Sequence, residues 1–212
     1  MDREAISQMR KSYGEIGLDK SDPNPIKQFT IWLAEAAANP MVVEANAMVL
    51  STVSDGAPSS RTVLLKDVSE AGFTFFTNYQ SKKSRDISSN SNVSLLFPWY
   101  PMERQVKIVG SASKVSAAES DSYFATRPWS SQIGAWASNQ SEPLTSREEL
   151  EALYKEYSAK YPEGTSVPRP PHWGGFLVTP TIIEFWQGRY SRLHDRIRYT
   201  RETNWKIQRI FP

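Results

Sequence analysis

The spacing of hydrophobic residues predicts a helix close to the N-terminus. Residues 25–39, PIKQFTIWLAEAAAN, repeat apolar side chains at the spacing that places them on one helical face. Asn24 is a favourable N-cap, and Pro25 suits the first helical position because its missing N–H has no partner there. The apolar stripe is expected to contain Ile26, Phe29, Leu33, Ala36 and Ala37. The preceding residues 4–13 are predicted to form a short polar helix or a mobile arm.

From Ala47 onward the pattern changes to that of β-strands. Asp55-Gly56 separates two β-rich runs, which is a strong signal for a hairpin. The predicted strands cover residues 47–53, 59–68, 73–78, 93–99, 104–115, 174–180, 182–188, 196–200 and 205–210. So many consecutive strands that look antiparallel favour a barrel over a parallel sheet.

Three further helices are predicted between the strands. A short one covers residues 81–90, with Ser81 as a possible cap, and another runs from Ser116 to about Arg127. A long helix follows Thr145, which has Glu148 three residues later in a capping-box arrangement. The sequence therefore predicts an α+β, mainly β fold, a β-barrel with flanking helices. We expect an N-terminal arm over residues 1–20 and one domain over residues 21–212.

Composition excludes several classes of function. The chain has 212 residues, no cysteine and only 2 histidines, so we expect neither disulfides, nor a thiolate nucleophile, nor a metal site. The net charge of +2 is too small to indicate nucleic-acid binding. No apolar run resembles a secretory signal or a membrane span, so we expect a cytoplasmic protein that binds neither nucleic acid nor membrane.

Basic residues nevertheless cluster beside aromatic and hydroxyl groups. Tyr123 and Arg127 are four residues apart and share a helix face, with Ser131 just beyond the end. Such a set suits a phosphate, although on spacing alone a solvated surface pair is the more common interpretation. Arg61 and Lys66 are expected to point to opposite faces of a strand, because they are an odd number of residues apart. Protective charges on an edge strand would also explain them.

Lys82 and Lys83 lie at the start of the third predicted helix. Cations at a helix N-terminus oppose the helix dipole unless an anion lies between them, which is a mild indication of function. A solvated run of charges is an equally good interpretation. Weaker candidates for a functional role are Gln105 in an apolar strand, Gln140-Ser141 after an apolar run, and Trp186.

His194 is the most specific candidate. If residues 191–197 are extended, Arg192, His194 and Arg196 project from one face. The neighbouring cations would lower the pKa of His194 and favour the neutral imidazole. A neutral imidazole both donates and accepts a hydrogen bond, which suits it to bind a phenolic oxygen or relay a proton.

Several segments together resemble the pyridoxine (pyridoxamine) 5′-phosphate oxidase family. They are RTVLLK, FFTN, SKKS, LLFPWYPMERQV, YFATRPWSSQIGAWAS, NQS, HWGGF, EFWQG and RLHDR, in order from about Arg10 to Pro212. The resemblance implies an FMN-binding split β-barrel that forms a homodimer, with FMN at the interface. It also implies a pyridoxal 5′-phosphate synthase, which oxidises pyridoxine or pyridoxamine 5′-phosphate. Oxygen is the acceptor and gives hydrogen peroxide, the amine releases ammonia, and hydride passes from substrate C4′ to flavin N5.

The resemblance also implies roles for individual residues. The FMN-binding positions are Arg61, Thr62, Val63, Leu64, Leu65, Lys66, Phe76, Thr77, Lys82, Lys83, Gln105, Gln140, Ser141, Trp186 and Arg196. The substrate-binding positions are Arg10, Tyr13, Lys66, Tyr123, Arg127, Ser131, Arg192, Leu193 and His194. Of these, Arg192 and His194 are the expected catalytic pair, and Arg10 and Tyr13 belong to an arm that closes over the site.

Two other interpretations compete with this one. The first is a related flavin split-barrel oxidase that acts on a different reduced ring, such as a phenazine precursor. An unphosphorylated substrate of that kind would not need the expected substrate-phosphate residues, which are Lys66, Tyr123, Arg127 and Ser131. A non-catalytic protein that binds flavin or pyridoxal phosphate would not need the RLHDR segment.

Overall fold

A computed structural model describes residues 2–9 and 11–212. Its helices are α1 (Arg3–Ser7), α2 (Pro25–Ala38), α3 (Lys82–Ser89), α4 (Ala117–Ala125), α5 (Trp129–Ala137) and α6 (Arg147–Lys160). Its strands are β1 (Ala47–Ser54), β2 (Ala57–Leu64), β3 (Asp67–Ser69), β4 (Gly72–Asn78), β5 (Asn92–Trp99), β6 (Arg104–Lys114), β7 (Trp173–Gln187), β8 (Asp195–Arg201) and β9 (Trp205–Arg209). The predicted fold class, α+β and mainly β, is confirmed.

The strands are hydrogen-bonded in the order β2-β1-β5-β6-β7-β4-β3, and β7 also pairs with β8, which pairs with β9. The chain divides into two compact units. The first contains residues 1–48, 95–109 and 180–212, and the second contains residues 49–94 and 110–179. The expected arm followed by a single domain stays a prediction.

The first unit is organised around α2. Asn24 caps this helix by accepting from the N–H groups of Ile26 and Lys27, as predicted. The ring of Phe29 packs edge-on against Phe97 with centroids 4.9 Å apart. Trp32, which the predicted stripe omitted, is buried against Phe185. These aromatic contacts add Trp32 to the buried face of α2, whereas Ala37 of the predicted stripe is exposed.

Strands β7 and β8 position the C-terminal part of the first unit. They are antiparallel, with Glu184 opposite Arg198 and Trp186 opposite Arg196. Because side chains alternate along a strand, these residues lie on one face of the ribbon.

The second unit begins with the predicted hairpin. Asp55 and Gly56 have φ values of 51° and 76°, the left-handed conformation that a tight two-residue turn requires. Strand β4 pairs antiparallel with β7 from Phe73↔Val178 to Asn78↔Trp173. A separate cluster of buried residues contains Phe124, Ile133, Val167 and Trp173. These elements provide the rigid frame for the cavity of the second unit.

Several predicted boundaries were wrong. Ser146, not Thr145, caps α6 by accepting from the N–H of Glu149. Ser81 precedes α3 but makes no capping bond; its hydroxyl donates to the Asn78 carbonyl at 2.8 Å. Other differences are that β2 ends at Leu64, that α4 ends at Ala125, and that the two strands predicted over residues 174–180 and 182–188 are one continuous strand, Trp173–Gln187.

Across residues 2–9 and 11–212, none of the helices combines the length and apolar character that crossing a bilayer demands.

Candidate functional site

The second unit contains a cavity of about 670 Å³ that we call the cationic cavity. Its lining residues are Thr62, Val63, Leu64, Lys66, Phe76, Thr77, Asn78, Lys83, Tyr123, Thr126, Arg127, Pro128, Ser131, Gly134, Ala135, Ser138, Gln140 and Trp173. Lys66, Lys83 and Arg127 contribute positive charge, and no aspartate or glutamate is among these lining residues. Such a composition favours an anionic ligand.

Arg127 carries the clearest evidence for that ligand. It follows the end of α4, and its Nη1 is buried without a hydrogen-bond partner among the described residues. Its guanidinium lies 4.6 Å from the centre of the Trp173 ring. Burial lowers the pKa of Arg127, and the nearby Tyr123 only partly opposes this. A buried cationic N–H group without an acceptor is costly and suits a site that an anion completes.

Parallel aromatic rings form one wall of the cationic cavity. Phe76 stacks on Tyr123 with centroids 4.0 Å apart and an interplanar angle of 18°. Phe76 also stacks on Trp173 at 5.6 Å. Tyr123 and Arg127 line the same cavity, but Arg127 lies beyond the end of α4 at Ala125, so the prediction that the two share a helix face was wrong.

Lys83 forms a second polar cluster in the cationic cavity, apart from the one around Arg127 and Tyr123. Its ammonium group donates to Gln140 Oε1 at 2.9 Å and to the hydroxyl oxygens of Thr77 and Ser81, each at 3.2 Å. Burial, together with the positive charge of Arg61, lowers the pKa of Lys83 to about 8. Its partners are neutral, so the charge is hydrogen-bonded but not neutralised.

Arg61 and Lys82 have a different role. Both form ion pairs with the buried carboxylate of Asp86, Lys82 at 2.9 Å and Arg61 at 3.6 Å. Burial would raise the pKa of Asp86, but hydrogen bonds from Thr52 and Lys82 and the charges of Lys82 and Arg61 hold it below its usual value. Neither cation lines the cationic cavity.

The prediction that one strand runs from Arg61 through Lys66 was wrong, and the opposite directions expected for their side chains stay a prediction. Strand β2 ends at Leu64, so the alternation does not extend to Lys66, which is exposed and lines the cavity. Leu65 is buried, and Ser141 has a φ of 74° and is exposed outside the lining.

The first unit contains a cavity of about 630 Å³ that we call the arm cavity. Its lining residues are Met9, Lys11, Ser12, Tyr13, Tyr100, Glu103, Arg104, Gln105, Trp186, Arg189, Ser191, Arg192 and His194. Tyr13 contacts Trp186 and His194 edge-on, with centroids 5.7 and 5.5 Å apart. The Glu103 carboxylate accepts from the Gly14 N–H at 2.9 Å. The predicted contact of the arm with this site is thus seen for Tyr13, whereas Arg10 lies outside the described residues.

Hydrogen bonding fixes the tautomer of His194. Its Nδ1 lies 3.0 Å from the backbone nitrogen of Arg189, whose N–H donates to it. Burial, and then the positive charge of Arg192, lowers the pKa of His194. The neutral ring therefore accepts at Nδ1 and carries its proton at Nε2, which makes Nε2–H a donor.

The predicted extended segment over residues 191–197 was wrong. Tyr190–Arg192 form a turn of 3-10 helix, Ser191 and Arg192 have φ values of 53° and 62°, and β8 begins only at Asp195. Arg192, His194 and Arg196 therefore do not share a strand face. Arg192 and His194 still line one cavity, whereas Leu193 is 65% exposed and lies outside its lining.

Arg196 belongs to a smaller cavity of the first unit, about 340 Å³ in volume, which we call the Glu184 cavity. Its lining residues are Leu96, Gln105, Lys107, Glu184, Trp186, Arg196 and Pro212. Gln105 and Trp186 thus line both the arm cavity and the Glu184 cavity.

Sequence reasoning missed the carboxylates that hold these basic groups. Glu184 is 4% exposed, and Asp195 is 8% exposed. Asp195 accepts from the Leu18 N–H at 2.9 Å and pairs with Arg189 and Arg209. The available signal was a charged residue inside an apolar strand pattern, since Glu184 lies in the run TIIEFW.

Comparison with known proteins identifies the family. The sequence-family model described as pyridoxamine 5′-phosphate oxidase matches residues 34–161 of this chain. A second, described as the pyridoxine 5′-phosphate oxidase C-terminal dimerisation region, matches residues 173–212.

Relatives extend this likeness over nearly the whole chain. The pyridoxine/pyridoxamine 5′-phosphate oxidase of Rubrobacter xylanophilus is 53% identical, covering 99% of this chain and 98% of its own. That of Streptomyces avermitilis is 52% identical, covering 96% of this chain and 95% of its own.

Solved structures agree with the fold. PhzG of Burkholderia lata, solved with tetrahydrophenazine-1-carboxylic acid, has a TM-score of 0.86 and 33% identity, covering 92% of this chain and 95% of its own. An FMN-binding protein of Nostoc punctiforme, described as related to pyridoxamine 5′-phosphate oxidase, has a TM-score of 0.70 at 16% identity, which supports the fold alone. The predicted split-barrel fold class is confirmed, and the chain belongs to the pyridoxine/pyridoxamine 5′-phosphate oxidase family.

Proposed function

We propose that this protein is an FMN-dependent oxidase that converts pyridoxine 5′-phosphate and pyridoxamine 5′-phosphate to pyridoxal 5′-phosphate. Oxygen is reduced to hydrogen peroxide, and the amine substrate also consumes water and releases ammonia. The observation that carries the proposal is the cationic cavity, where Lys66, Lys83 and Arg127 meet without a lining carboxylate. Membership of the family supports the same reaction.

Two polar clusters in this cavity suit two phosphate groups. Arg127, Tyr123 and Ser131 would hold the phosphate of the substrate, because the unpaired Arg127 N–H group is already buried there. Lys83, Thr77 and Gln140 would hold the phosphate of FMN. Lys66 lines the same cavity and would reach either phosphate.

The residues present fit a flavin. The buried, unpartnered Nη1 of Arg127 and the partly buried ammonium group of Lys83 match phosphate dianions, and Gln105, Trp186 and Arg196 offer hydrogen bonds and a ring surface for the flavin head group. When bound, FMN supplies the two-electron acceptor that neither the substrate nor a side chain of this protein provides.

His194 and Arg192 would bind the substrate ring. The fixed Nε2–H of His194 donates to the 3-oxygen of the pyridine ring, and Arg192 adds a positive charge beside that oxygen. Tyr13, packed against His194 and Trp186, excludes water from one side of the cavity.

The protein is also proposed to act as a homodimer with FMN at the interface between protomers. The match of residues 173–212 to a dimerisation region supports the dimer. Sedimentation of the FMN-loaded protein and its flavin content per chain would measure both properties.

The test is the visible spectrum of FMN-loaded protein after anaerobic addition of substrate. Pyridoxine 5′-phosphate is expected to bleach the flavin band, air to restore it, and unphosphorylated pyridoxine to act far more weakly. A flavin that stays oxidised with the phosphorylated substrates but is reduced by a dihydrophenazine would favour an activity on phenazine-type rings. A flavin that no reduced substrate bleaches would favour a non-catalytic binding protein.

A further inference from the structure

Glu184 gathers three basic side chains around one buried carboxylate. Its Oε1 accepts from Arg196 Nε at 3.0 Å and Nη2 at 2.7 Å. Its Oε2 accepts from Arg198 Nε at 3.2 Å and Nη2 at 3.1 Å, and Lys107 Nζ lies 3.5 Å from the same oxygen. Glu184 is 4% exposed, so these groups replace its hydration almost completely.

This cluster carries more positive charge than neutralising Glu184 requires. Three cations and one carboxylate leave a net charge of +2 beside the Glu184 cavity. A second buried carboxylate of this unit, Asp195, holds two cations and lines neither the arm cavity nor the Glu184 cavity. The excess charge at Glu184 therefore lies where a ligand can interact with it.

The hydrogen bonds of Arg196 restrict what it can offer to that ligand. A guanidinium has about five N–H bonds. Arg196 uses Nε–H and one Nη2–H on Glu184, and one Nη1–H on the Phe211 carbonyl at 3.0 Å. One N–H on each terminal nitrogen is left, held in a fixed direction by Glu184 on one side and the backbone on the other.

We propose that Glu184 is a positioning residue that orients Arg196 towards the flavin ring and limits the positive charge that the ring experiences. This inference rests on the proposed binding of FMN. Positive charge beside a flavin favours its reduced form, because reduction adds negative charge to the ring. Glu184 thereby sets the reduction potential of the bound flavin. A higher potential favours reduction by the substrate, and a lower potential favours reoxidation by oxygen.

The charge of the cluster predicts opposite effects for two substitutions. Glu184→Gln keeps a carbonyl that can accept from Arg196 but removes one negative charge, so the affinity for reduced relative to oxidised FMN should rise. Arg198→Met leaves Glu184 and Arg196 in place but removes one positive charge, so the same ratio should fall. A unit charge about 10 Å away at an effective dielectric of about 20 changes such a ratio by about tenfold. For a two-electron couple, a tenfold change corresponds to about 30 mV.

The experiment is a redox titration of FMN bound to the purified protein, with the dissociation constant of oxidised FMN measured for each variant. Glu202→Gln, which makes the same substitution in an exposed ion pair with Lys206, is the matched control and should leave the potential unchanged. Opposite shifts for Glu184→Gln and Arg198→Met support the inference. A purely structural role would weaken FMN binding in both variants without reversing the sign of the shift.

The outcomes separate the inference from the proposed function. Unmodified protein that binds no FMN overturns both. Unmodified protein that binds FMN and turns over, with potentials that are unchanged in the variants or shift in the same direction, overturns the role of Glu184 alone. If Glu184→Gln does not fold, Arg198→Met decides, because an unchanged or raised potential in that variant contradicts the inference.

Discussion

The cationic cavity and the Glu184 cavity both contain basic side chains, but they differ in how the charge is balanced. Lys66, Lys83 and Arg127 line the first, where no lining residue is a carboxylate. In the second, Arg196 and Lys107 share the carboxylate of Glu184. The positive charge of the first cavity is therefore not neutralised by any lining residue and needs an anionic ligand. In the second cavity, the basic side chains are already held by Glu184 before any ligand enters.

This difference suggests different tasks. A buried cationic N–H group without an acceptor, such as Nη1–H of Arg127, is costly until an anion arrives, so it is suited to binding phosphate strongly and selectively. Arginines held by a buried carboxylate cost little to keep in place, and their remaining N–H bonds have fixed directions. We infer that the cationic cavity provides affinity and that the residues around Glu184 and His194 provide orientation.

Replacing Arg127 tests the first half of this comparison and should have the largest effect. In Arg127→Met, the KM for pyridoxine 5′-phosphate should rise about 100-fold or more, the range for loss of a buried charge partner. Stability of the ligand-free protein should not fall, because the substitution removes a partly buried cation whose buried Nη1 has no acceptor among the described residues.

The control is Arg147→Met on α6, where a 75% exposed arginine pairs with Glu151, and neither quantity should change. Steady-state kinetics and urea unfolding provide the measurements. An unchanged KM, or clear destabilisation of ligand-free Arg127→Met, would contradict the interpretation of the cationic cavity.

Replacing Asp195, which lines neither the arm cavity nor the Glu184 cavity, tests whether a buried carboxylate that holds two arginines stabilises the first unit. In Asp195→Asn, the buried partner of Arg189 and Arg209 loses its charge, so the free energy of unfolding should fall by about 3 kcal/mol. The same kind of change in an exposed pair, Glu151→Gln, should cost less than about 1 kcal/mol. Urea denaturation of both variants measures the difference, and equal losses would mean that the buried carboxylate is not a structural anchor.

Lys83 offers a smaller effect that depends on pH. Its pKa is lowered to about 8, so its positive charge is lost as the pH rises through that value. FMN should therefore bind about tenfold more weakly at pH 9.5 than at pH 7.5, whereas Lys83→Arg should bind nearly equally at both because arginine stays charged. Fluorescence quenching of FMN measures this, and a flat profile in the unmodified protein would show that Lys83 does not meet the phosphate.

Raising the pH should change the stability of the ligand-free protein in the opposite direction from its affinity for FMN. Above pH 8 the ligand-free folded state holds fewer protons at Lys83 than the unfolded chain does, whose lysine pKa is about 10.4. The contribution of Lys83 to stability therefore increases as the pH rises between these values. Opposite trends in FMN affinity and ligand-free stability would assign both to this residue.

Local signals in the sequence predicted several elements correctly. Asn24 and Pro25 determine the start of α2, and Asp55-Gly56 determines the first hairpin, because each acts on backbone groups within a few residues. The spacing of Tyr123 and Arg127 placed two cavity residues near each other, although Arg127 lies beyond the helix in which it was predicted. In each case the physical cause lies within one turn of the chain.

The wrong or missing predictions have two causes. Either two neighbouring residues offered the same local signal, or the interacting residues are far apart in the sequence. Thr145 and Ser146 each have a glutamate three residues later, so the pattern could not choose between them. The partners of Glu184 and Asp195 come from other strands and loops, and nothing local indicates them. The left-handed backbone at Ser191 and Arg192 is uncommon for residues other than glycine and carries no composition signal.

His194 gives the smallest and most specific effect, a displacement of the acidic side of the pH profile. Because burial and Arg192 lower its pKa, His194 stays neutral below the usual value of 6.5, and kcat/KM should fall only as the pH drops through the lowered value. In Arg192→Met one of those two causes is removed, so the acidic limb should move to higher pH even though overall activity falls. Arg201→Met, which removes an exposed cation stacked on Trp205, should leave the limb in place. If the limb of Arg192→Met coincides with that of the unmodified protein, the titrating group is not His194, and the oriented Nε2–H donor would lose its role in catalysis.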